Sequence, residues 1–242
     1  MTSPLYAMGD IHGRMDFLEA ALEWIRQDGG DDARIVFLGD LEDRGPDSKQ
    51  VIELLSAGVA AGRNWEVIKG NHDRMFESFL RDGTLTDPQI RSGIGWFHER
   101  VGGLTTLESY GIEEAGRRPG AEVLAEALEK VPEAHRAFLA ERPLMLEVGD
   151  LLFVHAGIRP GVAIEDQVED DLLWIRDEFL TDRRQHPRLV VHGHTPVDMP
   201  FHFGNHVNLD GGAGYGRPIY PAVFEGTDAW LLDGKGRMPL VP

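Results

Sequence analysis

Five short segments of this sequence concentrate side chains that bind metal ions. Carboxylate, amide and imidazole groups are oxygen and nitrogen ligands that suit Mn, Fe, Zn or Mg. The chain contains no cysteine, which excludes a thiolate metal site, a cysteine nucleophile and a disulfide framework. The segments are Gly9-Asp10-Ile11-His12-Gly13, Gly39-Asp40-Leu41-Glu42-Asp43-Arg44-Gly45, Gly70-Asn71-His72-Asp73, His155-Ala156-Gly157 and His192-Gly193-His194-Thr195.

Each segment directly follows a short apolar run that predicts a β-strand. In the first third of the chain these runs are Leu5–Met8, Ile35–Leu38 and Trp65–Ile68, and they alternate with helical patterns such as Asp47–Ala61 and Arg74–Arg81. Such alternation is typical of parallel β-α-β units in an α/β fold. Ligands of these folds bind beyond the carboxyl ends of the strands. A single Gly-Asp segment is usually only a turn, but five such segments together predict one site.

The alternation stops after the third strand. The segment 82–142 has no convincing strand pattern and contains an amphipathic helix at Glu122–Lys130, so we expect a helical insert within a single domain spanning 1–242. Strands return at Leu144–Val148 and Leu151–Val154, joined by the hairpin signal Gly149-Asp150. The later elements predict a largely antiparallel second sheet packed on the first. They are a helix at Leu172–Leu180 and strands at Leu189–Val191, Val207–Leu209, Ala222–Glu225 and Ala229–Leu232.

The charge of the chain restricts its partners. It has 41 acidic and 24 basic residues, a formal net charge of −17. Such a surface repels nucleic acid and anionic lipid, so neither is an expected partner. No apolar run is long enough to cross a membrane, and Met1–Tyr6 lacks the pattern of a signal peptide. We therefore expect a cytoplasmic protein, whose oligomeric state is left open.

In order and spacing, the metal-competent segments resemble those of the calcineurin-like metallophosphoesterases. Within that superfamily the chain is most similar to the bacterial branch of the PPP-type serine/threonine phosphoprotein phosphatases. The similarity extends from Gly9 to about Gly214. It implies an α/β fold in which two mixed β-sheets pack as a sandwich flanked by helices. The motifs are Asp10-Ile11-His12, Gly39-Asp40 with Asp43-Arg44-Gly45, Gly70-Asn71-His72-Asp73, His155-Ala156-Gly157 and Gly193-His194.

The resemblance implies a pair of divalent metal ions, Mn first, with Fe, Zn or Mg as alternatives. Two metals can share a water and lower its pKa from 15.7 toward about 7, which provides a bridging hydroxide for direct attack on phosphorus. The implied ligands are Asp10, His12 and Asp40 for one metal, and Asp40, Asn71, His155 and His194 for the other.

The resemblance also implies roles beside the metals. His72 would protonate the leaving alkoxide, and Asp43 would orient the His72 imidazole and stabilise its charged form. The alternatives are a purely structural histidine and a helix-entry cap for Asp43. Arg44 would hold phosphate oxygens, because its planar guanidinium matches them.

Arg176 resembles a second phosphate-binding arginine of the family. Its alternative is a surface salt bridge with the acidic residues around it, and Arg183 and Arg184 are rivals for the role. Three features have weaker claims. His192 would lie behind the ligands, His202 and His206 would be structural, and the loop Asn208–Tyr215 could line the substrate site.

One departure from the phosphatase pattern bears on the substrate. Asp73 stands where the protein phosphatases have Glu, which resembles the symmetrical diadenosine tetraphosphate hydrolases, whereas Asp43-Arg44-Gly45 has the phosphoprotein-phosphatase form. Our main hypothesis is a phosphoserine/phosphothreonine phosphatase of proteins. The alternative is a small-molecule phosphohydrolase such as a diadenosine tetraphosphate hydrolase, and a third is an inactive binding module. An open groove would favour protein substrates, and a closed basic cup would favour a nucleotide.

Overall fold

The computed structural model describes residues 4–90 and 92–242. Within these ranges the helices are α1 (Met15–Gly29), α2 (Ser48–Ala60), α3 (Asn71–Asp82), α4 (Gly103–Ser109), α5 (Gly120–Lys130), α6 (Glu133–Ala140), α7 (Glu169–Trp174) and α8 (Asp177–Leu180). The strands are β1 (Leu5–Met8), β2 (Arg34–Phe37), β3 (Trp65–Val67), β4 (Met145–Val148), β5 (Leu151–Val154), β6 (Leu189–His192), β7 (Phe201–His202), β8 (His206–Asn208), β9 (Ala222–Glu225), β10 (Asp228–Leu232) and β11 (Arg237–Pro239). Strands and helices alternate as far as α3, as the sequence predicts.

The strands form two mixed sheets. The first has the order β11-β10-β9-β1-β2-β3, and the second has the order β4-β5-β6-β8-β7. In the second sheet β5, β6 and β8 are parallel, and antiparallel pairing is confined to β4 and β7 at its two edges. The prediction of a largely antiparallel second sheet is therefore wrong. Its final hairpin, β9–β10, instead extends the first sheet beside β1.

The sheets pack face to face with helices on both outer sides. Alternate residues of β1 enter different cores, because side chains alternate across a strand. Leu5 and Ala7 pack between the two sheets, and Tyr6 and Met8 pack beneath the helices of the first sheet. Strand β5 alternates in the same way between the inter-sheet core and the core under α7 and α8. The α/β sandwich with two mixed sheets is therefore confirmed.

The segment 82–142 is helical, and no strand occurs among its described residues. It packs on the helical layer of the first sheet through Trp96, which is fully buried. The Trp96 ring lies 5.3 Å from the Phe76 ring and 5.0 Å from the Phe79 ring, measured between centroids. Both phenylalanines belong to α3, which also carries His72. The insert is thus anchored to the helix that enters the site.

Two helices differ from their predicted bounds. Helix α3 begins at Asn71 rather than Arg74, so Asn71 and His72 occupy its first turn. The predicted helix Leu172–Leu180 is divided into α7 and α8, and Arg176 lies between them with φ −133° and ψ −102°. Acidic residues fill the first turn of each piece, and negative charge favours a helix N-terminus. The chain therefore starts a second short helix after Arg176.

In the part of the chain that the structure describes, no helix combines the length and the apolar character that a membrane crossing requires.

Candidate metal centre and active site

The five predicted segments converge beyond the carboxyl ends of β1, β2, β3, β5 and β6. Their backbones are strained at the point where they meet, because the site includes five non-glycine residues with φ between 49° and 70°. A left-handed conformation of this kind costs about 1–3 kcal/mol per residue and persists only where the surroundings enforce it. Strain gathered in one place marks a functional site. The residues are His12, Asp40, Asp43, Arg44 and His194.

The first group of metal-competent atoms surrounds His12. Its Nε2 lies 3.9 Å from Asp10 Oδ2 and 3.6 Å from Asp40 Oδ2, and all three side chains are buried. Its Nδ1 donates to the backbone oxygen of Glu42 at 2.8 Å, which leaves the Nε2 lone pair facing the carboxylates. Arg44 Nη1 donates to that nitrogen at 2.7 Å. His12, Asp40 and His72 also form one of two groups with ligand atoms close enough to share an ion.

The second group joins Asp40, His155 and His194. Asn71 Oδ1 lies 2.8 Å from His155 Nε2 and 2.8 Å from His194 Nδ1. Asp40 Oδ1 lies 3.4 Å from His155 Nε2. Asp40 therefore belongs to both groups, as a bridging ligand would. Gly193 allows the His194 segment to lie close to Asp10, because a Cβ at position 193 would collide with the carboxylate of Asp10.

The donor set fits divalent cations. His155 Nδ1 donates to the Leu38 carbonyl at 2.8 Å, so its Nε2 carries a lone pair. That lone pair faces the oxygens of Asn71 and Asp40, and a divalent cation among these acceptors would make the contact favourable. Mixed oxygen and imidazole ligands suit Mn, Fe and Zn. The two groups are therefore compatible with a dinuclear metal site.

The pKa shifts agree with that fit. Burial raises the pKa of Asp10 and of Asp40 well above the ordinary value, because a charged carboxylate is poorly solvated there. Burial lowers the pKa of His155 to about 4 and that of His194 well below the ordinary value. Neutral imidazoles are the form that binds metal. The carboxylates need nearby positive charge to ionise, and divalent cations provide it.

His72 and Asp43 form a buried hydrogen-bonded pair. His72 Nδ1 lies 2.6 Å from Asp43 Oδ2, which leaves His72 Nε2 on the side of the metal-competent groups. Burial raises the pKa of Asp43 to about 7, opposed by its hydrogen bonds to Thr106 and Trp96. The cap interpretation of Asp43 is wrong, because α2 begins only at Ser48.

The insert completes the environment of Asp43, which sequence analysis did not detect. Trp96 Nε1 donates to Asp43 Oδ2 at 2.9 Å, and Thr106 Oγ1 donates to Asp43 Oδ1 at 2.6 Å. Both donors are buried. Neither residue belongs to a polar motif, so only their distance in space from Asp43 identifies them. The insert therefore fixes the carboxylate that orients His72.

Asp73 holds the loop after β2 in place. Its carboxylate accepts hydrogen bonds from the backbone N–H groups of Asp40 at 2.9 Å, Leu41 at 3.1 Å and Gly70 at 2.6 Å. These bonds join the first turn of α3 to the strained segment at Asp40. Sequence analysis treated Asp73 only as a departure from a pattern, whereas the structure gives it a positioning role.

Two of the predicted arginines line a cavity of about 360 Å³ over these groups. Arg44 donates to the Nε2 atoms of His12 and of His72, at 2.7 and 3.1 Å. Arg176 forms no ion pair with its acidic neighbours and donates to Thr195 Oγ1 at 2.9 Å. The other lining residues are Asp40, Asn71, His72, Met75, Ile90, Arg100, Val101, Trp174, His194, Pro196 and Tyr215.

The rival arginines and the remaining histidines lie elsewhere. Arg184 pairs with Asp182, and neither Arg183 nor Arg184 lines the cavity. His192 and His206 are buried, with ring centroids 5.1 Å apart, and pack around Phe179. His202 lies in β7 and His206 in β8, and neither lines the cavity. From the loop Asn208–Tyr215, Tyr215 reaches the cavity.

The fold and site define a metal-dependent phosphoesterase. The family described as Calcineurin-like phosphoesterase matches residues 3–218, and the chain belongs to that family. Two curated relatives bear the name bis(5'-nucleosyl)-tetraphosphatase PrpE, asymmetrical. The one from Anoxybacillus flavithermus is 28% identical over 233 residues, covering 86% of this chain and 85% of the relative. The one from Bacillus subtilis is 26% identical over 235 residues, covering 88% and 87%.

Solved structures agree on the fold. One described as a candidate diadenosine tetraphosphatase has a TM-score of 0.66 and 21% identity, covering 100% of this chain and 95% of that one. A cold-active protein-tyrosine phosphatase of a Shewanella species has a TM-score of 0.63 and 14% identity, covering 100% and 81%. The superfamily assignment is confirmed, and placement in the protein-phosphatase branch stays a prediction.

Proposed function

We propose that this protein hydrolyses dinucleoside tetraphosphates, releasing a nucleoside triphosphate and a nucleoside monophosphate. The observation that carries the substrate class is the cavity over the metal-competent groups, whose wall includes Arg44, Arg100 and Arg176. The insert contributes Ile90, Arg100 and Val101 to that wall. A cavity lined by three arginines suits a polyphosphate, because each guanidinium can bind phosphate oxygens. The asymmetrical cut is taken from the names of the curated relatives.

The catalytic ions would be two divalent cations, Mn first. When bound, they would neutralise phosphate charge and lower the pKa of the attacking water from 15.7 toward about 7. Asp40 would join the two sites. The proposed ligands are Asp10, His12 and Asp40 on one side, and Asp40, Asn71, His155 and His194 on the other.

The arginines would orient the phosphoryl group that reacts. In this structure Arg44 donates a hydrogen bond to His12 Nε2. The lone pair of that nitrogen is the one that His12 would use to bind a metal. In the loaded enzyme Arg44 exchanges that bond for phosphate oxygens, which its planar guanidinium can bind in pairs. Arg176 lines the same cavity, and its Nη1 donates to Thr195 Oγ1. Both groups then stabilise the charge that develops on phosphorus oxygens.

His72 would deliver a proton to the leaving oxygen from Nε2. Its Nδ1 is held by Asp43, so the ring cannot turn away, and Asp43 stabilises the charged imidazole. Burial and the charge of Arg44 lower the pKa of His72. The negative charge of a bound phosphate acts in the opposite direction and favours the protonated ring.

Phosphoserine and phosphothreonine proteins are the competing substrate class. The sequence form Asp43-Arg44-Gly45 favours them by resemblance, and the three arginines of the cavity wall favour a nucleotide polyphosphate. An inactive binding module would have no use for a complete donor set together with the His72–Asp43 pair, so it ranks last.

The test compares kcat/KM for diadenosine tetraphosphate, a panel of phosphoserine and phosphothreonine peptides and p-nitrophenyl phosphate, with added Mn²⁺. We expect the dinucleotide to exceed every peptide by about 100-fold or more, since recognition of the second nucleotide adds binding energy. Chromatography of its products should give ATP and AMP. ADP as the sole nucleotide product would show that the cut is symmetrical. A peptide with a higher kcat/KM than the dinucleotide would show that the protein is a phosphoprotein phosphatase instead. The control is Asp40→Asn. Loss of activity on all substrates in this variant would show that one site hydrolyses all of them.

A further inference from the structure

The outer part of the cavity carries two side chains that have no role in the chemistry described so far. Arg100 precedes α4 in the insert, and Tyr215 follows β8, yet both line the same cavity as Asp40 and His72. Arg100 is exposed, and the Tyr215 side chain is 63% exposed. They come from segments more than one hundred residues apart in sequence.

The arginines of the cavity differ from most others in this chain. The protein has many more carboxylates than basic groups, and most of its arginines form ion pairs. Arg74 pairs with Asp87 and Asp170, for example, close to the cavity. Among the described residues, Arg44, Arg100 and Arg176 have no carboxylate partner, and of the other arginines only Arg63, Arg136 and Arg183, none of which lines this cavity, share that property. Unpaired guanidinium groups gathered in so acidic a protein indicate an anionic ligand.

Arg100 is the member of that group with a free guanidinium. Arg44 is engaged by His12 and His72, and Arg176 by Thr195. The guanidinium of Arg100 has no hydrogen-bond partner among the residues that the structure describes, where only its backbone N–H donates, to His98. It is therefore available to phosphate oxygens that lie farther out than the reacting group.

Tyr215 supplies a flat surface in the same cavity, next to Arg44. The guanidinium carbon of Arg44 lies 5.1 Å from the centroid of its ring. An aromatic ring at the lip of a phosphate site is suited to stack on a nucleobase, because every base has an apolar face.

We infer that Arg100 and Tyr215 form an outer subsite. Arg100 binds a phosphate beyond the one that reacts, and Tyr215 stacks on the base attached to that chain. This inference rests on the proposed function, because it names the part of the dinucleotide that the cavity holds outside the metals.

The first experiment measures inhibition of p-nitrophenyl phosphate hydrolysis by orthophosphate, inorganic tripolyphosphate and diadenosine tetraphosphate. In Arg100→Ala we expect Ki for tripolyphosphate and for diadenosine tetraphosphate to rise about 10–100-fold, because one charge-assisted hydrogen bond is lost. Ki for orthophosphate should stay unchanged. The thermal unfolding midpoint of Arg100→Ala should match that of wild type, which shows that the variant folds. The matched control is Arg117→Ala, an exposed arginine of the same insert, which should behave as wild type. An equal rise for all three inhibitors, or no rise, overturns the role of Arg100.

The second experiment separates the base from the phosphates. Tyr215→Ala should raise Ki for diadenosine tetraphosphate about 10-fold and leave that for tripolyphosphate unchanged, whereas Tyr215→Phe keeps the wild-type values. A change for tripolyphosphate in Tyr215→Ala overturns the stacking role. These inhibition constants do not require that diadenosine tetraphosphate be cleaved. A failure of the proposed function would therefore show in the products and substrate ranking, and a failure of the subsite would show in the ratios of Ki.

Discussion

His72 has a single ring nitrogen available for chemistry. Asp43 holds Nδ1 at 2.6 Å, and Arg44 Nη2 contacts Nε2 at 3.1 Å within the cavity. His72 is also the second residue of α3, next to the metal-competent Asn71, so the first turn of one helix supplies both groups. A role in proton delivery and a role in supporting the metals predict different kinetics.

The basicity of the leaving group distinguishes these roles. A phenolate ion is far more basic than p-nitrophenolate and gains more from protonation as the bond breaks. In His72→Asn we expect kcat for phenyl phosphate to fall about 10²–10⁴-fold, and kcat for p-nitrophenyl phosphate to fall clearly less. Metal content, measured in the same preparation by elemental analysis, should remain that of wild type. Equal losses on both esters, or a loss of metal, would assign His72 to the support of the metal centre.

The insert acts on the site as an element. Trp96 and Thr106 reach Asp43 from a segment that is more than fifty residues away in sequence, and Trp96 also packs on α3. Docking of the insert thus fixes Asp43 from one side while α3 presents His72 from the other. A change within the insert should therefore alter proton delivery without touching a metal ligand.

Thr106→Val tests this coupling, because it keeps the shape of the side chain and removes the hydroxyl. We expect kcat for phenyl phosphate to fall by about 10-fold or more, because Thr106 Oγ1 both donates to Asp43 Oδ1 and accepts from the Asp43 backbone N–H. The loss for p-nitrophenyl phosphate should be smaller. Thr106→Ser should retain most activity. The neighbouring Thr105→Val is the control, since Thr105 Oγ1 donates to Gly102 and not to Asp43. A Thr105 variant as impaired as Thr106→Val would show that the effect is general loosening of α4.

At the scale of the whole molecule, the site concentrates negative charge in the interior of an acidic protein. Asp10, Asp40, Glu42, Asp43, Asp73 and Asp210 are all buried. Neither carboxylate oxygen of Glu42 has a hydrogen-bond partner among the described residues. Isolated buried carboxylates are costly unless cations or hydrogen bonds compensate them. The stability of the protein should consequently depend on its metals.

Removal of metal by a chelator should lower Tm by roughly 5–15 °C, which follows from a ligand at 100–1,000 times its Kd in a protein of this size. The difference in Tm between loaded and chelated protein should widen as pH rises above 3.8, the ordinary pKa of an aspartate. In the chelated protein the raised pKa values of Asp10 and Asp40 mean that the folded state binds more protons than the unfolded state, so its stability falls as pH rises. Metal binding strengthens over the same range because its ligands are deprotonated.

Calorimetry of wild type, Asp40→Asn and the exposed control Asp166→Asn would measure this difference. Asp40→Asn should greatly reduce the difference in Tm between loaded and chelated protein, and Asp166→Asn should leave that difference unchanged. A wild-type Tm that does not respond to chelation after dialysis would contradict a metal centre that compensates the buried carboxylates.

Local sequence was sufficient to predict the segments that meet at the site. Each apolar run ends in a Gly-flanked Asp, Asn or His, and parallel β-α-β pairing brings successive strand ends to one edge whatever the details of packing. The first three strands and the helices between them follow from short-range periodicity, and the observed bounds differ by only one residue or a few. The resemblance to the superfamily rests on the same local segments.

Other features depend on contacts between distant segments, which leave no periodic signal. The pairing of β9 with β1 results from burial of both strands in the inter-sheet core, and the donation of Trp96 and Thr106 to Asp43 results from docking of the insert. The break at Arg176 places its guanidinium against Thr195, on a loop nineteen residues farther along. The basic character of the cavity wall arises in the same way, because Arg44, Arg100 and Arg176 come from three separate parts of the chain and line one cavity only in the folded protein.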